Sequence, residues 1–528
     1  MSEFLRQMAA ARVKSPPARW LYVPYDQLTD QVGPLADVLP AECGIVLVES
    51  TWKAGRRPYH QQKLALILAN QRHFALEQAQ RGVPLRYEFT DQPYAETLAQ
   101  LAGKLGVLQV MEPAERELRH DLQSLVKAGQ LQVLPHAGWL TTADDFATAF
   151  AKGPPYRMDA FYRQVRRRTG ILMQRGKPVG GKFSFDAENR QAWSGQPPAP
   201  TPPSFVPDAI TQEVGQLVAT KFGDHPGRLN LSQLPATRAD AEAMWQWAIQ
   251  HALPLFGPYE DAMSVRSRSL FHSRMSALVN IHRVLPQRMI DDVLSLDIPL
   301  ASKEGFVRQL LGWREFVRHV HVQTDGFRTV APVNQADAAV PAYLSADHPL
   351  PPAYWGVPSG LHCLDTVVAD VWEEGYSHHI TRLMVLSNIA TLLDISPREL
   401  TDWFWVAYTD AFDWVVEPNV LGMGTYALGD LMTTKPYISG AAYINKMSDY
   451  CGGCAFNPKT NCPLTRLYWA FLQRHRDELA SNMRMKLPLS SSAKRSHTDQ
   501  SADAQVFEAI NAQLAAAKRL SPETLASV

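Results

Sequence analysis

Two hydrophobic periods run along this chain, and the change from one to the other divides it. Short apolar runs at Trp20–Tyr25, Gly44–Glu49, Leu85–Phe89, Val107–Met111 and Leu131–Leu134 read as strands. Between them, Tyr59–Arg81, Tyr94–Leu105 and Ala114–Ala128 place apolar residues at helical spacing. Strands alternating with helices predict a parallel, Rossmann-like α/β domain over residues 19–150, with ligands outside the carboxyl ends of the strands. No GxGxxG and no GxxxxGK[ST] occurs, so neither the dinucleotide fingerprint nor the Walker loop is present. From 209 to 487 the pattern is helical throughout, as in Ala239–His251, Arg274–Val284, Lys303–His321, Thr366–Leu393 and Pro397–Phe412. That stretch predicts a separate all-α domain.

Three segments fall outside these patterns. Residues 1–18 read as a loose extension. Residues 151–208 form a connector, basic at first and then proline-rich in GQPPAPTPPSFVPD. Residues 488–528 open with the polar SSSAKRSHTDQSAD and read as a flexible tail, in which Val506, Ile510 and Leu514 could line one amphipathic helix.

Composition narrows the class. The 528 residues are 46% hydrophobic and 20% charged, as in a globular chain of two or three domains. No apolar run reaches the ~20 residues of a membrane helix, and the N-terminus has no long apolar core. A cytoplasmic, monomeric protein without membrane contact is expected. Lys+Arg and Asp+Glu are 52 each, so the formal net charge is zero. A nucleic-acid binder with that balance must gather its positive charge on one face. The connector offers such a gathering, with Arg157, Arg163, Arg166, Arg167, Arg168, Arg175, Lys177, Lys182 and Arg190.

The sharpest local motif is YCGGCAFNPKTNCP, which brings Cys451, Cys454 and Cys462 together. CxxC lets two thiolates face one metal centre, and Gly452 and Gly453 permit the turn. Cys363 is the remaining cysteine of the helical half, and Cys43, at a strand start, reads as a core thiol. Four thiolates suit either structural zinc or a [4Fe–4S] cluster.

Several stretches together resemble the photolyase/cryptochrome flavoproteins, in particular their bacterial iron–sulfur branch. They are FGPYEDAM (256–263), LFHSRMSALVNI (270–281), FVRQLLGWREFVR (306–318), YWGVPSGLHCLD (354–365), SHHITRLMVLSN (377–388), EPNVLGMGTYA (417–427), TTKPYISGAAYINKMSDYCGGC (433–454) and CPLTRLYWAFL (462–472). MDAFYRQVRRR (158–168), GGKFSFDAENR (180–190) and ESTWKAGRRPYHQQKLALILANQRHF (49–74) extend the resemblance over nearly the whole chain.

The resemblance implies an antenna domain followed by a helical FAD domain, a [4Fe–4S] cluster on Cys363, Cys451, Cys454 and Cys462, and a 6,7-dimethyl-8-ribityllumazine antenna near Asp26, Gln27 and Glu49. It implies light-driven reversal of (6-4) lesions in UV-damaged DNA, with His379 as proton donor beside His378, Tyr437 and Tyr443. FAD contacts fall on His272, Ser273, Ser276, Gln309, Arg314, Arg382, Asn388 and Asn419. Electron relay falls on Trp403 and Trp355, and DNA phosphates on Arg163, Arg166, Arg167 and Lys182. The alternative within the family is a blue-light receptor that signals to a partner through the tail. The chain departs from the family pattern where Val416 replaces an expected carboxylate, where Phe404 follows Trp403, at Tyr25 before Asp26, and in the short AFNPKTN loop.

Overall fold

The computed structural model describes residues 2–11 and 17–526. Five parallel strands, β1 (Arg19–Tyr22), β2 (Cys43–Ser50), β3 (Leu85–Thr90), β4 (Leu108–Met111) and β5 (Leu131–Leu134), stand in the order β3-β2-β1-β4-β5. The chain starts in the middle of the sheet and winds outward both ways, so the topological switch lies between β1 and β4. All eight residues of β2 are buried, which explains its unbroken apolar reading. The helix Gln61–Gln80 crosses from β2 to β3.

After residue 209 every long element is a helix, but the helices are more broken than their periodicity suggests. Thr366–Leu393 reads as one helical pattern. In the structure, Gly375 at φ 62° ends the helix His362–Glu374, and Tyr376–His378 run on before helix resumes at His379. A left-handed glycine is the usual helix stop. Elsewhere the helix widens into π turns, at Arg308–Arg314, Arg382–Ser387 and Pro418–Gly424. The sheet and the helical half share their interior: Leu21, Val46 and Leu108 belong to the same buried cluster as Trp245, Phe306 and Trp414.

Both ends are more ordered than their composition predicts. Glu3–Ala10 is a helix started by Ser2, whose Oγ accepts from the Leu5 amide at 3.2 Å. Its Phe4 is fully buried, 4.7 Å from the Tyr87 ring. The rest of the expected extension lies partly outside the described residues. The expected flexible tail is also corrected. Lys486–Ala493 and His497–Ala515 are helices, the second capped by Ser496, and it packs along Pro463–Arg474. The stripe of Val506, Phe507, Ile510 and Leu514 is buried there, and the Leu520 amide donates to the Ser359 carbonyl at 2.8 Å. The stripe was legible behind the polar linker; the helix that buries it was not.

Candidate functional site

A cavity of about 300 Å³ opens into the helical half. These three π turns, unlike a fourth at Ala248–Ala252, supply much of its wall: Gln309 and Arg314 from the first, Arg382 from the second, Asn419 from the third. A π turn carries an extra residue, so side chains that an α-helix would spread round its cylinder can converge on one side. His272, Ser273 and Ser276 enter from the segment where Arg274 turns at φ 58°. Asn388 is the exception among the predicted lining residues. Its amide is closed on the Ser439 main chain, donating at 3.1 Å and accepting at 2.8 Å, and it does not line the cavity.

Arg382 is held by a two-pronged ion pair with Asp410, at 3.0 and 2.9 Å. Arg314 pairs with Glu315 at 3.1 Å, and burial lowers its pKa to about 10. Three buried polar atoms of the lining have no protein partner: His272 Nε2, His378 Nδ1 and Trp414 Nε1. A buried donor or acceptor left alone is costly, so these atoms suit a polar ligand in the cavity.

Val416 lines the cavity, and no carboxylate replaces it from the next position. Glu417 points the other way, to Arg398 at 2.9 Å, His321 at 3.0 Å and Arg328 at 3.3 Å. Phe404 also lines the cavity.

Three histidines stand at its mouth. The His272 and His378 rings are stacked 4.5 Å apart, and both are buried. Burial first, and then the neighbouring histidine charge, pushes both pKa values well below the usual range, so both are neutral. His379 is 43% exposed, its Nε2 3.8 Å from Asp261. Asp261 also accepts from Tyr443 Oη at 3.3 Å and lies 3.7 Å from Arg190. Asp261 belongs to the FGPYEDAM stretch but carries no signal of its own in the sequence. Tyr437 is half-buried and does not line the cavity.

Behind Phe404 the aromatic rings continue. Trp403 lies 5.1 Å from Phe404 and 5.9 Å from Trp372, which stacks at 5.6 Å on Trp355. Trp355 is 47% exposed, so the file runs from the cavity wall to solvent. Trp372, the middle member, escapes the sequence reading. The Trp403 and Trp372 indole N–H groups both donate to the Tyr354 carbonyl, at 2.9 and 3.0 Å.

The cysteines converge from two helix starts. Cys363 lies in the first turn of His362–Glu374, and Cys462 caps Pro463–Arg474. Cys451 and Cys454 flank the turn at Gly452 and Gly453. The short loop closes on itself, since the Asn461 and Cys462 amides both donate to the Asn457 carbonyl, at 3.1 and 2.9 Å. Each of the other three sulfurs acts electrostatically on Cys363, yet no three sulfurs lie within 4.8 Å of one another among the described residues. Tetrahedral zinc needs sulfurs about 4 Å apart at its ~2.3 Å bond length.

Two of the three predicted antenna residues are otherwise engaged, while the buried Asp26 keeps its Oδ1 without a partner. Gln27 closes the switch-point crevice itself, donating to the Met111 carbonyl at 3.0 Å. Glu49 is consumed by Arg72, at 2.6 and 2.8 Å, and by Tyr87 at 2.6 Å. Asp26 is buried and burial pushes its pKa up to about 7. The nearby void is only about 50 Å³, and none of the three lines it. Tyr25 fills that region, stacked 6.4 Å from Phe412. In the basic segment, Arg163 and Arg167 are exposed, while Lys182 is paired with Glu188 at 3.1 Å. Arg166 is fully buried and donates to the Ile171, Leu172 and Phe183 carbonyls, so it is a structural residue and not a phosphate contact.

Comparison with known proteins follows the same lines. Residues 21–233 match the family model of the deoxyribodipyrimidine photo-lyase-related protein. A (6-4) photolyase of Agrobacterium fabrum is 34% identical over 500 residues, 89% of this chain and 94% of that one. Among solved structures, a bacterial class III photolyase from Agrobacterium tumefaciens superposes with TM-score 0.52 at 15% identity, over 95% of this chain and 98% of the other. A Synechocystis cryptochrome superposes with TM-score 0.57 at 14% identity, over 94% and 99%.

Proposed function

Since the chain belongs to the photolyase-related family, we propose that it is a light-driven DNA-repair enzyme acting on (6-4) pyrimidine–pyrimidone lesions. The observation that carries this reading is the exposed His379 at the mouth of the cavity, with Asp261 and Tyr443 around it.

FAD fits the cavity. Arg382, Arg314, Gln309, Ser273, Ser276 and Asn419 offer polar contacts, and the partnerless His272, His378 and Trp414 nitrogens await an acceptor or donor. Bound there and reduced, FAD would supply the light-driven one-electron chemistry of the reaction. The protein does the rest. Arg163 and Arg167 hold phosphates, and the poorly stacked lesion is extruded at reduced cost. His379 then donates the proton that lets a hydroxyl move between the two rings, while Asp261 keeps its Nε2 oriented. His378 and His272, both neutral, form the floor beneath it.

Cys363, Cys451, Cys454 and Cys462 are the ligands of a [4Fe–4S] cluster in this reading, supported by their convergence from the CxxC turn and two helix starts, and the cluster ties the CxxC loop to the helix of Cys363. A lumazine antenna would need Gln27 and Glu49 to give up their present partners, and Asp26 alone of the three predicted contacts keeps a buried oxygen without a partner. Signalling through a mobile tail loses its basis, because that segment is helical and packed.

The test is a repair assay with the FAD-loaded, reduced protein and oligonucleotides carrying a (6-4) or a cyclobutane lesion, in blue light and in darkness. Light-dependent loss of the (6-4) lesion alone is expected. His379→Ala should remove that activity while FAD content and melting temperature hold, because the side chain is exposed. Full repair by the variant would refute the proton role.

A further inference from the structure

A second tryptophan pair leaves the same cavity on another side. Trp414 lines the wall and its ring lies 5.1 Å from Trp139, edge to face. Trp139 is half-buried, so this pair also links the cavity to the surface in two steps. On separation alone it rivals the file through Trp403, Trp372 and Trp355.

The charges around the two routes differ. The Arg314 guanidinium sits 4.0 Å from the centre of the Trp139 ring and 5.6 Å from that of Trp414, and Arg318 sits 4.4 Å from Trp139. One carboxylate, Glu315, contacts Arg314, and its other oxygen is taken by the Leu140 and Thr141 amides and the Thr141 hydroxyl. Arg318 makes no ion pair among the described residues; it donates to the Thr141 carbonyl and faces His319. His319, His136 and His282 are all pushed below the usual range by burial and add no charge. Trp139 therefore has two guanidiniums within 4.4 Å of its ring centre, Arg314 paired with Glu315 and Arg318 without an ion pair, though Glu315 and Glu112 act on Arg318 from farther off. On the first route the ring stacked on Trp372 is His60, whose pKa is lowered to about 4, and Arg382 is neutralised by Asp410.

A cation over an indole face stabilises the neutral ring and repels its one-electron-oxidised form. From this geometry we infer that Arg314 and Arg318 hold the Trp414–Trp139 pair electrochemically silent and so direct electron supply through Trp403. The inference rests on FAD occupying the cavity. In the silent route one electron would leave Trp414 for the ring in the cavity, and Trp139 would refill Trp414. An external thiol would refill Trp139, giving one electron and one proton and ending as half of a disulfide. Arg318 acts here as a directing residue, touching Trp139 and not the flavin.

The experiment uses the full chain, with flavin content measured first; a preparation that takes up no FAD refutes the function reading and not this one. With a thiol present, flavin photoreduction is followed by absorption. Trp403→Phe should slow it at least about tenfold, and adding Arg318→Gln should restore about tenfold of that loss, the effect of roughly 1.4 kcal/mol on a barrier. Arg318→Lys, which keeps the charge, should restore nothing, and a third change, Trp139→Phe, should abolish the rescue. A second readout needs no turnover: after illumination in air without thiol, oxidised tryptophan mapped by peptide mass spectrometry should lie at Trp355 in the parent and appear at Trp139 with Arg318→Gln. Photoreduction in Trp403→Phe that already depends on Trp139, or no rescue by Arg318→Gln in a variant that melts like the parent, would overturn the inference.

Discussion

Val416 and Glu417 are neighbours in sequence with opposite surroundings. The first lines the cavity and the second is 1% exposed amid Arg398, Arg328 and His321. His321 and the two guanidiniums overcome the cost of burial and lower the Glu417 pKa from 4.5 to about 2. A depressed carboxylate contributes stability that is fully present above its unfolded pKa and lost as pH falls through the folded one. Between about pH 4.5 and pH 2 the protein should therefore lose this contribution, of about 3 kcal/mol at most. Glu417→Gln should lower the melting temperature near neutrality and flatten that acid limb, seen by thermal melts across pH. A limb unchanged in the variant would remove Glu417 from the account. The sequence told which residue type stood at 416; only the helix phase told that the adjacent carboxylate turns 100° away. For the same reason Arg166 could not be separated from Arg163 and Arg167 by reading RQVRRR alone.

At the scale of elements, the strands were legible as short apolar runs between helical patterns, most plainly β2, all of whose residues are buried, and less so β3 and β5, which keep exposed positions. The π turns were not, since one extra residue hardly disturbs a 3.6-residue pattern, and yet they aim Gln309, Arg314, Arg382 and Asn419 at one space. Trp372 was missed because its importance comes from two other elements, which stack Trp355 on its ring and set Trp403 perpendicular to it. Trp372→Phe should slow flavin photoreduction with thiol while leaving FAD binding intact; an unchanged rate would mean that Trp403 reaches Trp355 or another donor without it. The helix His497–Ala515 was half legible, its stripe visible and its partner not. Ending the chain after residue 495 would strip cover from Pro463–Arg474 and leave Arg466 and Arg495 without Asp503. We expect a lower melting temperature and, in protein carrying the proposed cluster, faster loss of its absorption in air. Equal lifetimes would show that the helix does not guard the cysteine region.

The whole molecule has zero formal charge, so affinity for DNA must come from a local face. Arg163→Ala and Arg167→Ala should each reduce the slope of log affinity against log salt by about 1, for damaged and intact duplex alike. Arg166→Ala should leave that slope alone and destabilise the fold by about 2–4 kcal/mol, because three carbonyls lose their donor. Filter binding at several salt concentrations, with melting curves, separates the two effects; a slope change with Arg166→Ala would contradict its burial. Because the sheet and the helical half share one interior, these losses should be felt as a single transition and not as the melting of one half.

The contact between Leu520 and Ser359 has a consequence for how the protein is made. Translation reaches Leu520 58 residues after Cys462, a delay of roughly 3–12 s at ~5–20 residues per second. All four cysteines of the helical half are therefore synthesised before the strap that crosses the start of the Cys363 helix. In the proposed reading a cluster would have that interval for its assembly, before Leu520 packs against Gly360.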